Sequence, residues 1–217
     1  MTLLCGIDWA GRGPVIGPMV MAGVLVEESD LSKLKSIGVK DSKLLTPKKR
    51  IQLFDEVIKI VKDYKIIVIQ PAEIDAALAS EELNLNWLEA IKSTEILNLL
   101  NPDTAHIDCP SNNIEAYTLY LREKLENPKM NLKVEHKADL SYVHVGAASI
   151  LAKVTRDRII DELKELYGDF GSGYMTDSKT KSFLEKHYKK HKEIFRQGWA
   201  SFKTASDAKN QKRLGEF

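Results

Sequence analysis

A chain of 217 residues with 43% hydrophobic and 29% charged side chains suits one large domain, or a domain with a small helical appendage, and carries no sign of disorder. Its formal net charge of +1 does not announce a nucleic-acid binder, yet Lys and Arg gather at 33 to 50, 179 to 192 and 209 to 213 while acids are spread out, which is compatible with a basic face. No apolar run approaches the roughly twenty residues that span a bilayer, and Met1 to Ala10 lacks the charged start and long apolar stretch of a signal peptide, so a cytoplasmic protein without a membrane is expected.

Residues 3 to 8 and 17 to 26 read as two strands joined by a turn-rich Gly11 to Gly17 segment, which predicts a hairpin. Cys5 and Cys109 fall in apolar strand-like runs and read as small buried hydrophobes, not a disulfide framework. A short helix is expected over 27 to 37, followed by a polar loop through Gly38 to Lys43. Thr46 then caps a helix that opens with Pro47 and places Ile51, Phe54, Val57, Ile58 and Val61 on one face. Residues 65 to 70 form a compact β-branched strand, Pro71 starts a helix through Ala79, and a longer helix over 85 to 100 offers Trp87, Leu88, Ile91, Ile96 and Leu99 to a core. Thr104 to Asp108 is a strand with its acid at the carboxyl end, where open α/β sheets place ligand sites. A helix to about Glu126 and a last strand over 132 to 135 complete an alternation that, after the initial hairpin, specifies an α/β sheet of mixed direction. Ser141 to Tyr167 is helical in one or two segments, Gly168 to Tyr174 is a glycine-rich loop, and Asp177 caps another helix before a basic, aromatic remainder. The expected division is a sheet-bearing domain over 1–167 and a helical region over 168–217.

Chemistry concentrates first at Gly6-Ile7-Asp8-Trp9-Ala10-Gly11-Arg12-Gly13-Pro14. An acid at the end of an apolar strand must be hydrogen-bonded, paired or bound to a cation, because an unpaired buried carboxylate costs several kcal/mol or shifts its pKa. Asp8 is therefore either a structural acid tied to a cation such as Arg12, or part of a site. Asp108 and Asp139 each have a structural alternative as well, a turn start and a helix cap. Glycines 11 and 13 let backbone approach a ligand and Arg12 offers a planar fork for phosphate, although the tripeptide alone is most often a turn. Lys43, Arg50, Lys153 and Tyr174, taken singly, read as surface charges and a loop tyrosine, and Trp9 as a core tryptophan.

In order along the chain, Asp8 with Ala10-Gly11-Arg12-Gly13-Pro14, Lys40-Asp41-Ser42-Lys43, His106-Ile107-Asp108, His136-Lys137-Ala138-Asp139, Ala147 to Lys153 and Gly171-Ser172-Gly173-Tyr174 together resemble the type 2 ribonucleases H, specifically archaeal ribonuclease HII. The resemblance covers nearly the whole chain, with one departure: the family carries Glu directly after the first Asp, where this chain has Trp9. It implies a ribonuclease H-like mixed sheet flanked by helices with a small C-terminal helical region. It also implies an endonuclease that nicks the RNA strand of RNA-DNA hybrids, and duplex DNA 5′ to an embedded ribonucleotide, leaving 3′-hydroxyl and 5′-phosphate ends. Such hydrolysis needs an activated water, a neutralised phosphate and support for the leaving oxygen, which two hard cations about 4 Å apart supply.

By resemblance, Asp8, Asp108 and Asp139 are three of the family's four acidic ligands for two Mg²⁺ or Mn²⁺ ions. Indole offers only an N–H donor, so Trp9 implies a weakened second metal site and severely reduced turnover, while substrate binding can persist. Gly11, Arg12 and Gly13 match the family loop that senses the 2′-hydroxyl, Tyr174 the tyrosine that packs on the neighbouring deoxyribose, and Lys43, Arg50 and Lys153 positions that contact substrate or phosphate. Gln211, Leu214 and Phe217 resemble the peptide by which replication and repair enzymes dock on the sliding clamp. A monomer is the expected state. Two rival readings stand beside this one: a catalytically silent binder of ribonucleotide junctions, favoured by Trp9, and an enzyme with the same acids acting on small phosphate compounds.

Overall fold

The computed structural model describes residues 1–39 and 45–214, with the side chains of the last helix described as far as Asp207. Lys43 and Phe217, and the side chains of Gln211 and Leu214, therefore lie outside the described residues. Within them the expected mixed sheet is present: β1 (Leu3–Ala10), β2 (Met19–Glu27), β3 (Asp63–Ile69), β4 (Thr104–Asp108) and β5 (Asn131–Glu135) form one five-stranded sheet in the order β3-β2-β1-β4-β5. β1 pairs antiparallel with β2, Asp8 opposite Ala22, and parallel with β4, Ile7 opposite Ile107; β4 in turn runs parallel to β5. The middle strand is thus the one that begins the chain.

The helices are α1 (Leu31–Ser36), α2 (Pro47–Ile60), α3 (Pro71–Ala79), α4 (Leu85–Leu100), α5 (Ile114–Lys124), α6 (Ala138–Ser141), α7 (Val143–Tyr167), α8 (Ser178–His187) and α9 (Ala200–Leu214). Capping follows local chemistry. The Thr46 hydroxyl accepts the Lys49 amide at 3.3 Å with Pro47 in the first turn, and Asp177 accepts the Lys179 amide at 2.9 Å. The expected helix from 141 is one continuous α7 from Val143, while Ser141 closes the short α6 and Tyr142 is extended between the two.

Two expected core residues are corrected. Ile51 on α2 is 47% exposed, since the buried face runs through Leu53, Phe54 and Val57 instead, and Leu99 on α4 is 62% exposed while Ile96, Leu97 and Leu100 take the inner positions. In both helices the apolar residues exceed what one face holds, and packing selects among them.

Close approach is written into β1 and β2 by glycine. A Cβ on Gly6 would overlap the backbone of His144 and Val145, and one on Gly23 would overlap Ile96. Gly23 lies opposite Ile7, the neighbour of Gly6, so the two glycines look to opposite faces of the sheet. α7 therefore covers one face and α4 the other, which explains why β2 is buried along all but its last residue. Cys5 and Cys109 are both free thiols and buried, and burial pushes Cys5 up to about 12, as inert apolar fillers require. Among the described residues no helix is long and apolar enough to cross a membrane.

The residues gather into two compact units. One holds the sheet and comprises Met1–Ala10, Val20–Val68 and Leu85–Thr155; the other comprises Gly11–Met19, Ile69–Asn84 and the chain from Arg156 on. The second unit has its own apolar core, built on Ile16, Ile160, Phe170, Phe183, Phe195 and Phe202.

Where α7 meets β4, His144 Nε2 lies 2.9 Å from His106 Nδ1 in a buried pair, with the Tyr142 ring 3.9 Å from the His106 ring. Burial is the main cause that lowers His106 to about 4 and His144 to about 3, so both are neutral near pH 7. In the unfolded chain both imidazoles protonate near 6.5, so the unfolded state binds more protons below that value and stability is lost as pH falls from 6.5 toward 4. The loss should be on the order of 3 kcal/mol for each imidazole. Urea midpoints across this range should fall steeply for the parent and less steeply for His144→Gln; parallel curves would rule the pair out as the cause.

Candidate active site

The register that opposes Ile7 and Ile107 brings the next residues, Asp8 and Asp108, side by side at the carboxyl ends of neighbouring parallel strands. Asp8 is 4% exposed, and its Oδ1 accepts the Trp9 amide at 2.7 Å. Burial lifts its carboxyl from 3.8 to about 7, with Asp108 adding to the rise, while Ser149, the Trp9 amide and the Lys153 ammonium oppose it. Ser149 and Lys153 are four residues apart on α7, one face of one helix, and that helix comes close because position 6 has no side chain. The cation that acts on Asp8 is thus supplied from α7.

Asp108 is half-buried, and its Oδ1 accepts the Ala138 amide at 3.0 Å. This bond fixes the start of α6, so Asp139, the next residue, follows directly after the partner of Asp108. The expectation of Asp139 as a helix cap is corrected: it is the second residue of α6 and 4% exposed, and the residue in the capping position is Lys137, whose φ is 58°. Among the described residues no three Asp, Glu, His or Cys side chains are gathered into a ready-made ligand set for a metal ion. The pair Asp8 and Asp108 nevertheless has the character a hard divalent cation suits: adjacent carboxylate oxygens, one of them held partly protonated by burial and by the other's charge. Trp9 is half-buried beside them in β1, and Arg50 is half-buried on α2.

The second unit holds the other group of expected residues. Gly11 has φ 77°, and a Cβ there would overlap the Arg156 side chain, so glycine is required on both counts. Arg12 is half-buried and Gly13 exposed. A Cβ on Gly13 would lie 3.7 Å from Cε1 of Tyr174, which is 38% exposed, so the structure brings the glycine-arginine loop and Tyr174 together. Tyr174 follows Gly173, whose φ is 81°, whose amide donates to Thr180 Oγ1 at 3.0 Å and whose carbonyl accepts the Val15 amide at 2.9 Å.

Four residues escape a reading of the sequence. Ser149 lies toward Asp8 within an otherwise apolar helical stripe. Arg156 is 6% exposed, its guanidinium 5.7 Å from the Tyr174 ring centre, and burial lowers its pKa. Arg196 is fully buried and donates from Nη2 to Gly11 O at 2.6 Å, from Nη1 to Arg12 O at 2.8 Å and from Nε to Gly17 O at 3.0 Å. Trp199 donates from Nε1 to Gly13 O at 3.2 Å. The available signal was modest: Arg196 and Trp199 fall in a short stretch beside Ile194 and Phe195, and Arg156 has no local mark at all.

The sequence profile of ribonuclease HII matches residues 5–204 of this chain. The chain is 45% identical to the ribonuclease HII of Thermococcus sibiricus over 99% of its own length and 97% of that protein, and 45% identical to that of Pyrococcus furiosus over 98% and 96%. Its structure is similar to the crystal structure of ribonuclease H2 from Pyrococcus horikoshii OT3, with a TM-score of 0.88 and 40% identity over 95% of this chain and 98% of that one. It is also similar to ribonuclease HII in a PCNA complex from Archaeoglobus fulgidus, with a TM-score of 0.81 and 38% identity over 94% and 95%.

Because the Asp8 carboxyl titrates near 7 in the folded chain and near 3.8 when unfolded, the folded state binds the extra proton between these values. Its contribution is fully favourable below 3.8 and is lost as pH rises through 7. In metal-free buffer Asp8→Asn should therefore stabilise the chain at pH 8 by on the order of 3 kcal/mol, and by little at pH 4. An equal effect at both values in urea unfolding would contradict the buried-charge account.

Proposed function

The chain belongs to the ribonuclease HII family, and on that premise we propose that it cuts at ribonucleotides through Asp8, Asp108 and Asp139. Its activity is that of the family, a metal-dependent endoribonuclease acting on RNA-DNA hybrids. The finer reading is ours: it also nicks duplex DNA 5′ to a single embedded ribonucleotide. The observation that carries this assignment of residues is the side-by-side placement of Asp8 and Asp108, with the Asp8 carboxyl poised at about 7.

Asp8, Asp108 and Asp139 would hold the divalent cations, Mg²⁺ or Mn²⁺, through their carboxylates. When bound, these ions supply an activated water and neutralise the phosphate. The chain's own residues do the rest. Lys153 favours ionised Asp8 and places positive charge where a phosphate must lie. Gly11, Arg12 and Gly13 read the ribose, and the Tyr174 ring rests on the adjacent deoxyribose, where a 2′-hydroxyl would clash. Arg50 and Lys43 steady the backbone phosphates.

Trp9 stands where the family has Glu and has no oxygen to give a cation. One of the two ions is then held weakly, and the chain binds junctions better than it cuts them. A wholly silent junction binder is the second reading, favoured by this same residue. For partners, the relative from Archaeoglobus fulgidus crystallised with PCNA; the spacing of Gln211, Leu214 and Phe217 supports an equivalent docking of this chain on a sliding clamp. A cytoplasmic monomer completes the proposal.

Nicking of a labelled duplex with one ribonucleotide, in Mg²⁺ and in Mn²⁺, tests the reading on this chain and on Trp9→Glu together. Trp9→Glu should cut at least about 100-fold faster, and adding Asp108→Asn to it should abolish the gain. Comparable rates for the two chains would remove the case for a missing ligand, and absence of cutting by both would remove the assignment of the acids.

A further inference from the structure

We propose that Arg196 and Trp199 are positioning residues for ribonucleotide recognition, holding the peptides of the Gly11-Arg12-Gly13 loop in the orientation that reads a ribose 2′-oxygen. This rests on the reading of that loop given above. Arg196 is fully buried, so it cannot touch a nucleic acid, and three of its side-chain donors go to carbonyls of the loop and of Gly17 just after it. Its guanidinium, with the Trp199 ring 5.0 Å from its carbon, spreads three donors over the carbonyls of Gly11, Arg12 and Gly17, and Trp199 takes that of Gly13. Three consecutive carbonyls are thereby turned to one side.

Peptide planarity converts this into a statement about the other side. No cis peptide bond occurs among the described residues, and in a trans peptide the N–H points opposite to the preceding carbonyl. Fixing Gly11 O and Arg12 O toward Arg196 therefore aims the N–H groups of Arg12 and Gly13 away from it. Two successive amides aimed alike form the kind of concavity that binds an anionic or hydroxyl oxygen. A cation on the carbonyl end of each peptide also polarises it and strengthens the N–H as a donor. Lysine could supply the charge but not the fork, because a compact ammonium lacks the rigid geometry that reaches three carbonyls at once.

Burying an arginine is costly unless its donors are satisfied. The cost is offset by the loop it shapes. Arg196 also donates its backbone amide to Val15 O at 2.9 Å, and Gly17 donates to Ile194 O at 2.8 Å, so the chain that leaves the loop is held as well as the loop itself.

The test is the affinity ratio of the full chain for a duplex with one ribonucleotide over the same sequence as all DNA, under conditions where no cutting is detected, with melting temperature recorded for each variant. Arg196→Lys should lower the ratio by about 10- to 100-fold, through weaker binding of the ribonucleotide duplex alone. Trp199→Phe, which keeps the ring and removes one donor, should lower it roughly fivefold. Gly11→Ala, which distorts the loop directly, should abolish the preference. If Gly11→Ala abolishes it while Trp199→Phe and a folded Arg196→Lys keep it, these residues are structural only and the proposal is overturned. Retention of the preference by Gly11→Ala itself would overturn the reading of the loop, and the proposal with it. Should Arg196→Lys fail to fold, the ratio for Trp199→Phe decides.

Discussion

A charge buried on the middle strand organises the sheet-bearing unit. Asp8 lies on β1, between β2 and β4, at a depth where an ionised carboxylate is unstable without compensation. The compensation comes from an amide one residue on and, from α7 far along the chain, the Lys153 ammonium with Ser149 nearby. That helix reaches Asp8 only because Gly6, two residues earlier on the same strand, lets the helix backbone lie where a side chain would be. Sequence, packing and electrostatics are here one arrangement. A larger residue at position 6 would push away the two groups that make Asp8 tolerable as an anion, and a metal ion would add to what they do.

The second unit solves a different problem. The loop over residues 11–13 is irregular, and irregular backbone does not hold its shape by regular hydrogen bonding. Here its carbonyls are satisfied by side chains, Arg196 and Trp199, while glycine at 11 permits a left-handed turn that leaves space for Arg156. The cation does its work on neutral peptides, and that is why Arg196 needs no acid among the contacts with the loop to justify its place there.

Much of this was legible in the sequence, and the rest was not for identifiable reasons. Strand β4 was bounded correctly by its β-branched and apolar run, α2 and α8 by Thr46 and Asp177, and the sheet's mixed direction by an initial hairpin followed by alternation. These are local signals. Ile51 and Leu99 were misplaced because an apolar residue beside an apolar face has no local mark of which way it turns. Asp139 reads as a helix cap from sequence because a four-residue helix that begins after a left-handed lysine has little periodicity to detect. The grip of Arg196 on Gly11 spans 185 positions, and no window on the chain contains both residues.

That span has a consequence in time. The loop over residues 11–13 is among the first parts of the chain to be synthesised, and the arginine that holds it is among the last. At roughly 5–20 residues per second, a growing chain carries Gly11 without its clamp for about 10 to 40 seconds. During that interval the acids of β1, and later of β4 and α6, already exist on the nascent chain. A chain truncated before residue 196 would keep the carboxylates while losing the side chains that hold the carbonyls of residues 11–13.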